Sequence, residues 1–259
     1  MIELAAFVGI ATSIAGEAGN FLGSKFGPMK LKRHLSGTHY GITEDIECDL
    51  VYRKYLAKKT PQIPIFSEEN YEHIGDGWMW MVDAVEGTSN YAAGNPFFAT
   101  QLCLMHDLQP VVSVVFAPKL DELFVAIHGK GATLNGRKIS MSKNTELSNA
   151  IFGIGKGTKR YDLIWWGETA AQLLKNVRSV RQFGACGLEM AYSACGRLDF
   201  YLNRGSKLYD YAAGVLLCRE AGGDVLNNRG KDWSSSDDFL LTGNPILSKK
   251  VFSLLEKVK

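Results

Sequence analysis

Three groups of carboxylates are the residues of this chain whose types and spacing can do chemistry. Glu68-Glu69, and the pair Asp83 and Glu86, each follow a short apolar stretch that predicts a β-strand, and Asp210 opens a predicted helix. Residues at strand ends are offered to clefts. Carboxylate oxygens from several segments suit a hard cation such as Mg²⁺. His and Cys, the ligands of zinc and copper sites, are missing from all three groups, which disfavours zinc and copper and leaves a hard cation such as Mg²⁺.

A turn suited to phosphate follows directly after the second group. Gly87-Thr88-Ser89-Asn90 is predicted to open a helix, where backbone N–H groups and the helix dipole favour an anion. Metal ions beside a phosphate neutralise its charge, and one of them lowers the pKa of a bound water to make a nucleophile. Carboxylates and turn together predict metal-assisted chemistry on a phosphate ester.

Each group taken alone has an ordinary structural explanation. Glu68-Glu69 is typical of a solvated surface, Asp210 of a helix cap, and an acidic segment before Gly-Thr of a capped turn. Their conjunction, each beside its own apolar element, favours the functional interpretation.

Apolar periodicity predicts the elements that position these groups. The predicted strands are Ile63–Phe66, Met79–Val82, Phe98–His106, Val111–Phe116, Glu122–Ile127, Val177–Gln182, Phe200–Leu202 and Phe239–Thr242. The predicted helices are Met1–Phe26, Asp45–Leu56, Tyr161–Lys175, Gly187–Cys195, Asp210–Ala221 and Ile246–Lys257. Residues 29–43 and the glycine-rich segment 153–158 are predicted loops. Strands with interspersed helices indicate a layered α/β or α+β architecture.

Composition and net charge limit the classes of function that the chain can have. The chain has 259 residues, 46% hydrophobic and 22% charged, typical of a globular protein. A net charge of +2 gives no electrostatic case for binding nucleic acid. Five scattered cysteines without a CxxC pair argue against disulfides and zinc fingers. The apolar N-terminus is predicted to be an amphipathic core helix, neither signal peptide nor membrane span. We therefore expect a cytoplasmic protein without a membrane partner.

Several motifs resemble those of one family. Asp83-Ala84-Val85-Glu86-Gly87-Thr88-Ser89-Asn90-Tyr91 resembles the Asp-Pro-Ile/Leu-Asp-Gly-Thr-x-Asn-Phe signature of the inositol monophosphatase family. The segments 95–99 and 129–136 are similar to the family's Phe-Pro-Phe segment and Gly-x-Gly-Ala-x-x-Asn-Gly hairpin. Arg181–Ala185 and Gly196–Tyr201 resemble its C-terminal half, and residues 209–223 its Trp-Asp-x-Ala-Ala-Gly…Glu-Ala-Gly-Gly signature.

The resemblance implies a fold and an activity. The fold is α+β, a layered αβαβα sandwich of the inositol monophosphatase and fructose-1,6-bisphosphatase type. One phosphatase domain is expected over 1–259, with an α+β half over about 1–145 and an α/β half over about 146–259. The activity is Mg²⁺-dependent phosphomonoester hydrolysis, with two or three Mg²⁺ per active site, in a lithium-sensitive, cytoplasmic homodimer.

The resemblance also implies roles by position. Glu68, Asp83 and the Val85 carbonyl are implied ligands of a first ion, and Asp83, Glu86 and Asp210 of a second. Thr88, Asp45 and Glu68 are the implied catalytic residues, Thr88 and Asp45 acting on the attacking water. Gly87 and Thr88 are implied for phosphate, Asn203, Gly184 and Ala185 for substrate, and Glu69 for support of the metal ligands.

Two departures from the family pattern bear on the second ion and on the substrate. Glu86 replaces the second signature Asp and reaches about 1.5 Å further, which bears on the second ion because Mg²⁺ demands near-ideal geometry. Asn203 stands where many inositol-acting members have a Glu, which leaves the substrate open. Phosphatases of adenosine 3′,5′-bisphosphate or fructose bisphosphate therefore remain alternatives. So does a catalytically impaired member that binds a phosphorylated metabolite or a protein.

Overall fold

The computed structural model describes residues 4–27, 33–36, 39–70 and 75–255. Within these residues, two β-sheets alternate with three layers of helices. The outer layers are α1 and α2 on one side and α4 and α7 on the other, and α5 and α6 lie between the sheets. This αβαβα order is the predicted fold class.

A seven-stranded sheet forms the first β layer, in strand order β3-β4-β5-β6-β7-β8-β9. Its strands are β3 (Ile65–Ser67), β4 (Trp78–Glu86), β5 (Ala99–His106), β6 (Gln109–Ala117), β7 (Glu122–Ile127), β8 (Gly131–Leu134) and β9 (Arg137–Lys138). β3 pairs parallel to β4, and every later neighbour pairs antiparallel, with short connections after β5. Asp107 and Leu108 both have positive φ, as a two-residue hairpin turn requires.

A five-stranded mixed sheet forms the second β layer, in strand order β11-β10-β12-β14-β13. Its strands are β10 (Ile151–Ile154), β11 (Ser179–Arg181), β12 (Phe200–Arg204), β13 (Asp224–Leu226) and β14 (Phe239–Gly243). β10 pairs parallel to β11 and β12, and β14 pairs antiparallel to its two neighbours. A separate antiparallel pair is formed by β1 (Arg33–Ser36) and β2 (His39–Gly41).

The outer helices bury small and apolar faces. They are α1 (Leu4–Lys25), α2 (Thr43–Lys59), α4 (Arg160–Leu173) and α7 (Pro245–Leu255). By length and composition α1 is apolar enough to cross a membrane, a test that core helices also pass. Its buried residues pack with α2 on the seven-stranded sheet. The approach is so close that a Cβ on Gly19 would lie 2.3 Å from the Phe116 ring.

The middle helices serve both sheets. α5 (Cys186–Ala194) and α6 (Leu208–Glu220) are almost wholly buried, because each contacts a sheet on either side. They cover the inner face of the seven-stranded sheet, which carries Met79, Met81, Cys103 and Met105. A five-residue helix, α3 (Thr88–Ala92), follows β4 directly. Residues 78–92 therefore lead from one sheet to the edge of the middle layer.

Four sequence predictions differ from the structure. β4 does not end before Asp83 but continues to Glu86. The predicted loop over 29–43 contains the β1–β2 pair, and its residues 29–32 and 37–38 lie outside the described residues. Part of the predicted glycine-rich loop is strand β10, where Gly153 leaves room for the Leu198 and Tyr201 side chains. α6 begins two residues before Asp210, so Asp210 lies inside the first turn.

Candidate active site

A cleft of about 340 Å³ opens where the end of β4 meets the starts of α5 and α6. Ten of the sequence-predicted site residues line it: Glu68, Asp83, Val85, Glu86, Gly87, Thr88, Gly184, Ala185, Asn203 and Asp210. Asp45 and Glu69 do not line it, although Asp45 lies directly behind Thr88. Residues from both sheets thus meet in one cavity, of the size typical for a small-molecule ligand.

A β-bulge turns two acidic side chains of β4 to the same side. Asp83 pairs with Gln101 and Glu86 pairs with Ala99, so β4 advances three residues while β5 advances two. In a regular strand, residues three apart point to opposite faces. Here the two residues between them, Ala84 and Val85, both pack toward α1 and α2. Asp83 and Glu86 are therefore both left on the cleft side.

Burial raises the pKa of the four cleft carboxyls. Loss of solvation is the largest cause for each, and a neighbouring carboxylate adds to it for Glu68, Asp83 and Glu86. The pKa of Glu68 rises to about 8 and that of Asp210 to about 7. The pKa values of Asp83 and Glu86 lie well above their usual range. Buried acids gathered in a cleft are typical of functional sites, because positive charge there would stabilise their ionised forms.

Glu86 is held by neutral donors of the protein. Its Oε2 accepts hydrogen bonds from the Gly187 amide at 2.8 Å and from Gln101 Nε2 at 2.7 Å. Gln101 is 1% exposed, and its Nε2 also lies near the Tyr209 and Asp210 carbonyls. Sequence reasoning missed Gln101. Its only signal is a long polar side chain in the otherwise apolar stretch of β5.

Asp210 is fixed by its own helix. One carboxylate oxygen accepts a hydrogen bond from the Lys207 amide, which caps the first turn of α6. The carboxylate nevertheless lines the cleft, and its charge reaches Glu68 and Glu86. Asp210 thus both caps α6 and lines the cleft.

Gly87 and Thr88 form the turn between β4 and α3. Gly87 has φ +84°, a left-handed conformation that glycine adopts without strain, and a Cβ there would lie 3.0 Å from the Ala185 Cβ. The Thr88 hydroxyl donates to the Val85 carbonyl at 2.9 Å and lies 3.4 Å from Asp45 Oδ1. Asp45 is buried, and loss of solvation raises its pKa to about 7. A hydroxyl at the cleft is therefore backed by a carboxyl that titrates near neutrality.

A further buried carboxylate, not predicted from the sequence, shapes the opposite wall. Glu189 accepts hydrogen bonds from the Phe183 and Gly184 amides at 3.1 and 3.2 Å, and burial raises its pKa to about 8. Asn90 donates to the Phe183 carbonyl at 2.6 Å. Gly184 and Ala185 are thereby held against the Gly87 turn.

Asn203 lies in the wall of the cleft but is engaged with the protein. It is 2% exposed, and its amide nitrogen donates to the Tyr201 hydroxyl at 3.0 Å. The lining also includes Lys156 and Lys207, so basic residues as well as carboxylates border the cleft.

A divalent cation fits part of this donor set. Asp83 Oδ1 is buried and has no hydrogen-bond donor among the described residues, and Glu68 and the Val85 backbone line the same cleft. Hard oxygens without a donor are the ligands that Mg²⁺ prefers. Glu86 and Asp210, in contrast, are bonded to amides of the protein. As placed in the described ranges, no three His, Cys, Asp or Glu side chains converge on one ion position.

Comparison with known proteins places the chain in a family. The profile of the inositol monophosphatase family matches residues 3–258. The chain belongs to the inositol monophosphatase family. The resemblance on which the sequence analysis relied is confirmed.

Relatives and solved structures in the family match almost the whole chain. Inositol monophosphatase 1 of Solanum lycopersicum is 32% identical over 264 residues, covering 98% of this chain and 96% of the relative. The Nus factor SuhB of Xylella fastidiosa is 32% identical over 234 residues, covering 89% and 85%. The inositol monophosphatase structure from Anabaena is 29% identical, with a TM-score of 0.89 and coverage of 98% and 96%. The suhB protein structure from Bartonella henselae is 28% identical, with a TM-score of 0.90 and coverage of 97% and 99%.

Family membership indicates a phosphatase. The family and the relatives' names support a phosphomonoesterase acting on a small phosphorylated compound.

Proposed function

We propose that this protein is a Mg²⁺-dependent phosphomonoesterase that hydrolyses a small phosphorylated metabolite. One observation carries the proposal: buried carboxylates with raised pKa values share a cleft with the Gly87-Thr88 turn. Phosphoryl transfer depends chiefly on positioning and on neutralising charge. A cleft with acidic cation ligands on one side and a phosphate turn on the other supplies both.

Glu68, Asp83 and the Val85 carbonyl are the residues proposed to hold Mg²⁺. Asp83 Oδ1 supports this because it is buried without a donor in the described part of the chain. When bound, the ion supplies charge neutralisation of the phosphate and a lowered pKa for water. The second set, Asp83, Glu86 and Asp210, stays a sequence prediction, because the Gln101 amide lies among these residues.

Thr88 and Asp45 are proposed to orient and deprotonate the attacking water. The Thr88 hydroxyl accepts a hydrogen bond from the water and turns its own proton toward Asp45 Oδ1, 3.4 Å away. A base is most effective when its pKa lies near the working pH, and burial brings the pKa of Asp45 to about 7. The Val85 carbonyl competes for the hydroxyl proton at 2.9 Å, so Thr88 must rotate when substrate binds.

The phosphate is proposed to lie against Gly87 and Thr88, with Gly184 and Ala185 facing it. These residues line one side of the cleft, and Glu189 and Asn90 fix the facing segment. Asn203 is proposed to border the alcohol part of the substrate. Since its nitrogen is bonded to Tyr201, it offers fewer contacts to sugar hydroxyls than a free carboxylate would.

The first test is phosphate release from a panel of phosphomonoesters, with and without Mg²⁺. The panel contains inositol 1-phosphate, fructose 1,6-bisphosphate, histidinol phosphate and adenosine 3′,5′-bisphosphate. Asp83→Asn is the test variant, and Asp121→Asn, in an exposed turn outside the cleft, is the matched control. We expect Mg²⁺-dependent release by wild type and Asp121→Asn, and its loss in Asp83→Asn.

Two outcomes would contradict the proposal. Full activity of Asp83→Asn would rule out the proposed carboxylate site for the metal ion. No release from any compound, together with saturable binding of one of them, would favour the catalytically impaired binding protein instead. Lithium sensitivity, a homodimer and a cytoplasmic location stay predictions from the family resemblance.

A further inference from the structure

The Nε2 group of Gln101 lies among the residues of the predicted second ion site. Its Nε2 lies 2.7 Å from Glu86 Oε2, 3.5 Å from Asp83 Oδ2 and 2.8 Å from the Asp210 carbonyl. A fourth oxygen, the Tyr209 carbonyl, lies at 3.2 Å. All four neighbours are acceptors, as around a bound cation, and at least two are within ordinary hydrogen-bond length.

The chemistry of the site fixes which end of the amide points inward. An Nε2 group has two protons to donate, whereas an oxygen in its place would face four other oxygens. Oε1 points away, is buried and has no donor among the described residues. It lies so near α5 that a Cβ on Gly187 would come within 2.1 Å of it. The absence of a side chain at Gly187 is therefore what makes room for the amide.

Glu86 is matched to this arrangement. Its carboxylate accepts from both the Gln101 amide and the Gly187 amide at the start of α5. The glutamate, one methylene longer than the signature aspartate, reaches both amides. A helix N-terminus and a neutral side-chain amide thus donate to Glu86 where the predicted second site would have an ion.

We propose that the Gln101 amide replaces a second divalent cation, so that the cleft takes up a single tightly bound ion, at Glu68, Asp83 and the Val85 carbonyl. The inference rests on the proposed function for that ion. Gln101 is a positioning residue, because it orients Glu86 and links β5 to α6, while its Nε2 lies 3.5 Å from Asp83 Oδ2. Removing the amide opens the space between Glu86 and Asp210 to a second ion.

The test counts ions directly, by equilibrium dialysis of the whole protein against Mn²⁺ followed by metal analysis. Gln101→Ser removes the amide, and Gln109→Ser, an exposed glutamine on the neighbouring strand, is the matched control. We expect one Mn²⁺ per chain in wild type and Gln109→Ser, and a second in Gln101→Ser. Gln101→Glu keeps the side-chain shape, removes the donor and adds a charge. It is expected to bind the second ion even where the serine variant does not fold.

The remaining outcomes overturn the proposal. Two ions in wild type at the same Mn²⁺ concentration would show that the amide displaces nothing. An unchanged single ion in folded Gln101→Ser and Gln101→Glu would show that the amide is not what limits the count. If neither wild type nor any variant binds Mn²⁺ saturably, the proposed first ion site is ruled out, and the proposed metal-dependent function with it.

Discussion

Replacing Asp45 by Asn should make the protein more stable at alkaline pH and less active. Asp45 is buried, and desolvation is the main reason that its pKa rises from 3.8 to about 7. Its Oδ2 accepts a hydrogen bond from the Ile42 amide at 2.8 Å, which the Asn carbonyl oxygen can replace. The variant therefore removes the ionisation and keeps the main contact.

The pH dependence follows from the two pKa values. Below pH 3.8 the carboxyl is protonated in both states and has no effect on stability. Between pH 3.8 and 7 it is ionised when unfolded and protonated when folded, so the free energy of unfolding falls by about 1.4 kcal/mol per pH unit. Above pH 7 the loss is constant, at about 4 kcal/mol. From pH 5 to 8.5, Asp45→Asn should therefore gain about 2.5 kcal/mol relative to wild type.

Urea unfolding in EDTA at pH 5 and 8.5 measures this difference. Asp121→Asn is the control and should give the same difference from wild type at both pH values. At pH 8.5 and saturating Mg²⁺, Asp45→Asn should also lose phosphatase activity by about 100-fold or more, the usual contribution of a general base. A stability difference that does not change with pH would refute the burial argument. Unchanged activity would refute the assignment of Asp45 to the attacking water.

Three further predictions test the site and the fold. Asp83→Asn should abolish the rise in Tm, about 5–10 °C, that Mg²⁺ at about 100 times its Kd gives wild type. Gly87→Ala should lower the free energy of unfolding by about 2–3 kcal/mol, because left-handed strain costs about 1–2 kcal/mol and the methyl meets the neighbouring segment. Gly19→Ala should lower it by about 1–3 kcal/mol, because α1 lies against the sheet there.

Matched glycines separate the causes in these variants. Gly136 has φ +76° with open space at its Cβ, so Gly136→Ala should show the strain alone. Gly9 has open space in α1, so Gly9→Ala should stabilise by about 0.5–1 kcal/mol. If Gly87→Ala and Gly136→Ala lower the free energy of unfolding equally, the close contact at Gly87 is contradicted. If Gly19→Ala is as stable as wild type, the close packing of α1 on the sheet is contradicted. A Tm rise retained in Asp83→Asn would contradict the ion site.

Local patterns were sufficient for the elements with strong turn and periodicity signals. The strand Glu122–Ile127 has the predicted bounds, and the Asn135-Gly136 turn has the positive φ values that this pair favours. The signature turn at Gly87 was also predictable, because residue type and position decide it together. These features depend on contacts close in sequence.

Features that depend on distant partners were not predictable. The strand β10 contains Gly153, and only the side chains packed against that glycine explain why a strand holds it. Gln101 looks like an isolated polar residue in a strand, until the pairing register sets it opposite Asp83. Glu189 similarly reads as a polar residue of a helix, although it holds the facing loop. In each case the decisive neighbour comes from another element.

Because α5 and α6 follow the seven-stranded sheet in the sequence, the ribosome makes this sheet before the helices that cover its inner face. The strands β5 to β9 are joined by short connections, and the segment that contains α3 joins β4 to β5, so these strands can pair soon after they are synthesised. The inner face of the sheet is rich in sulfur-containing side chains. It is covered only by α5 and α6, which begin about 50 to 70 residues after the end of β9. Until α5 and α6 are synthesised, the nascent sheet exposes an apolar surface, and Asp210 is missing from the acidic cluster. A ribosome stalled after β9 would hold an aggregation-prone intermediate with an incomplete acidic cluster, so capture of a metal ion by the full set would come late in biosynthesis.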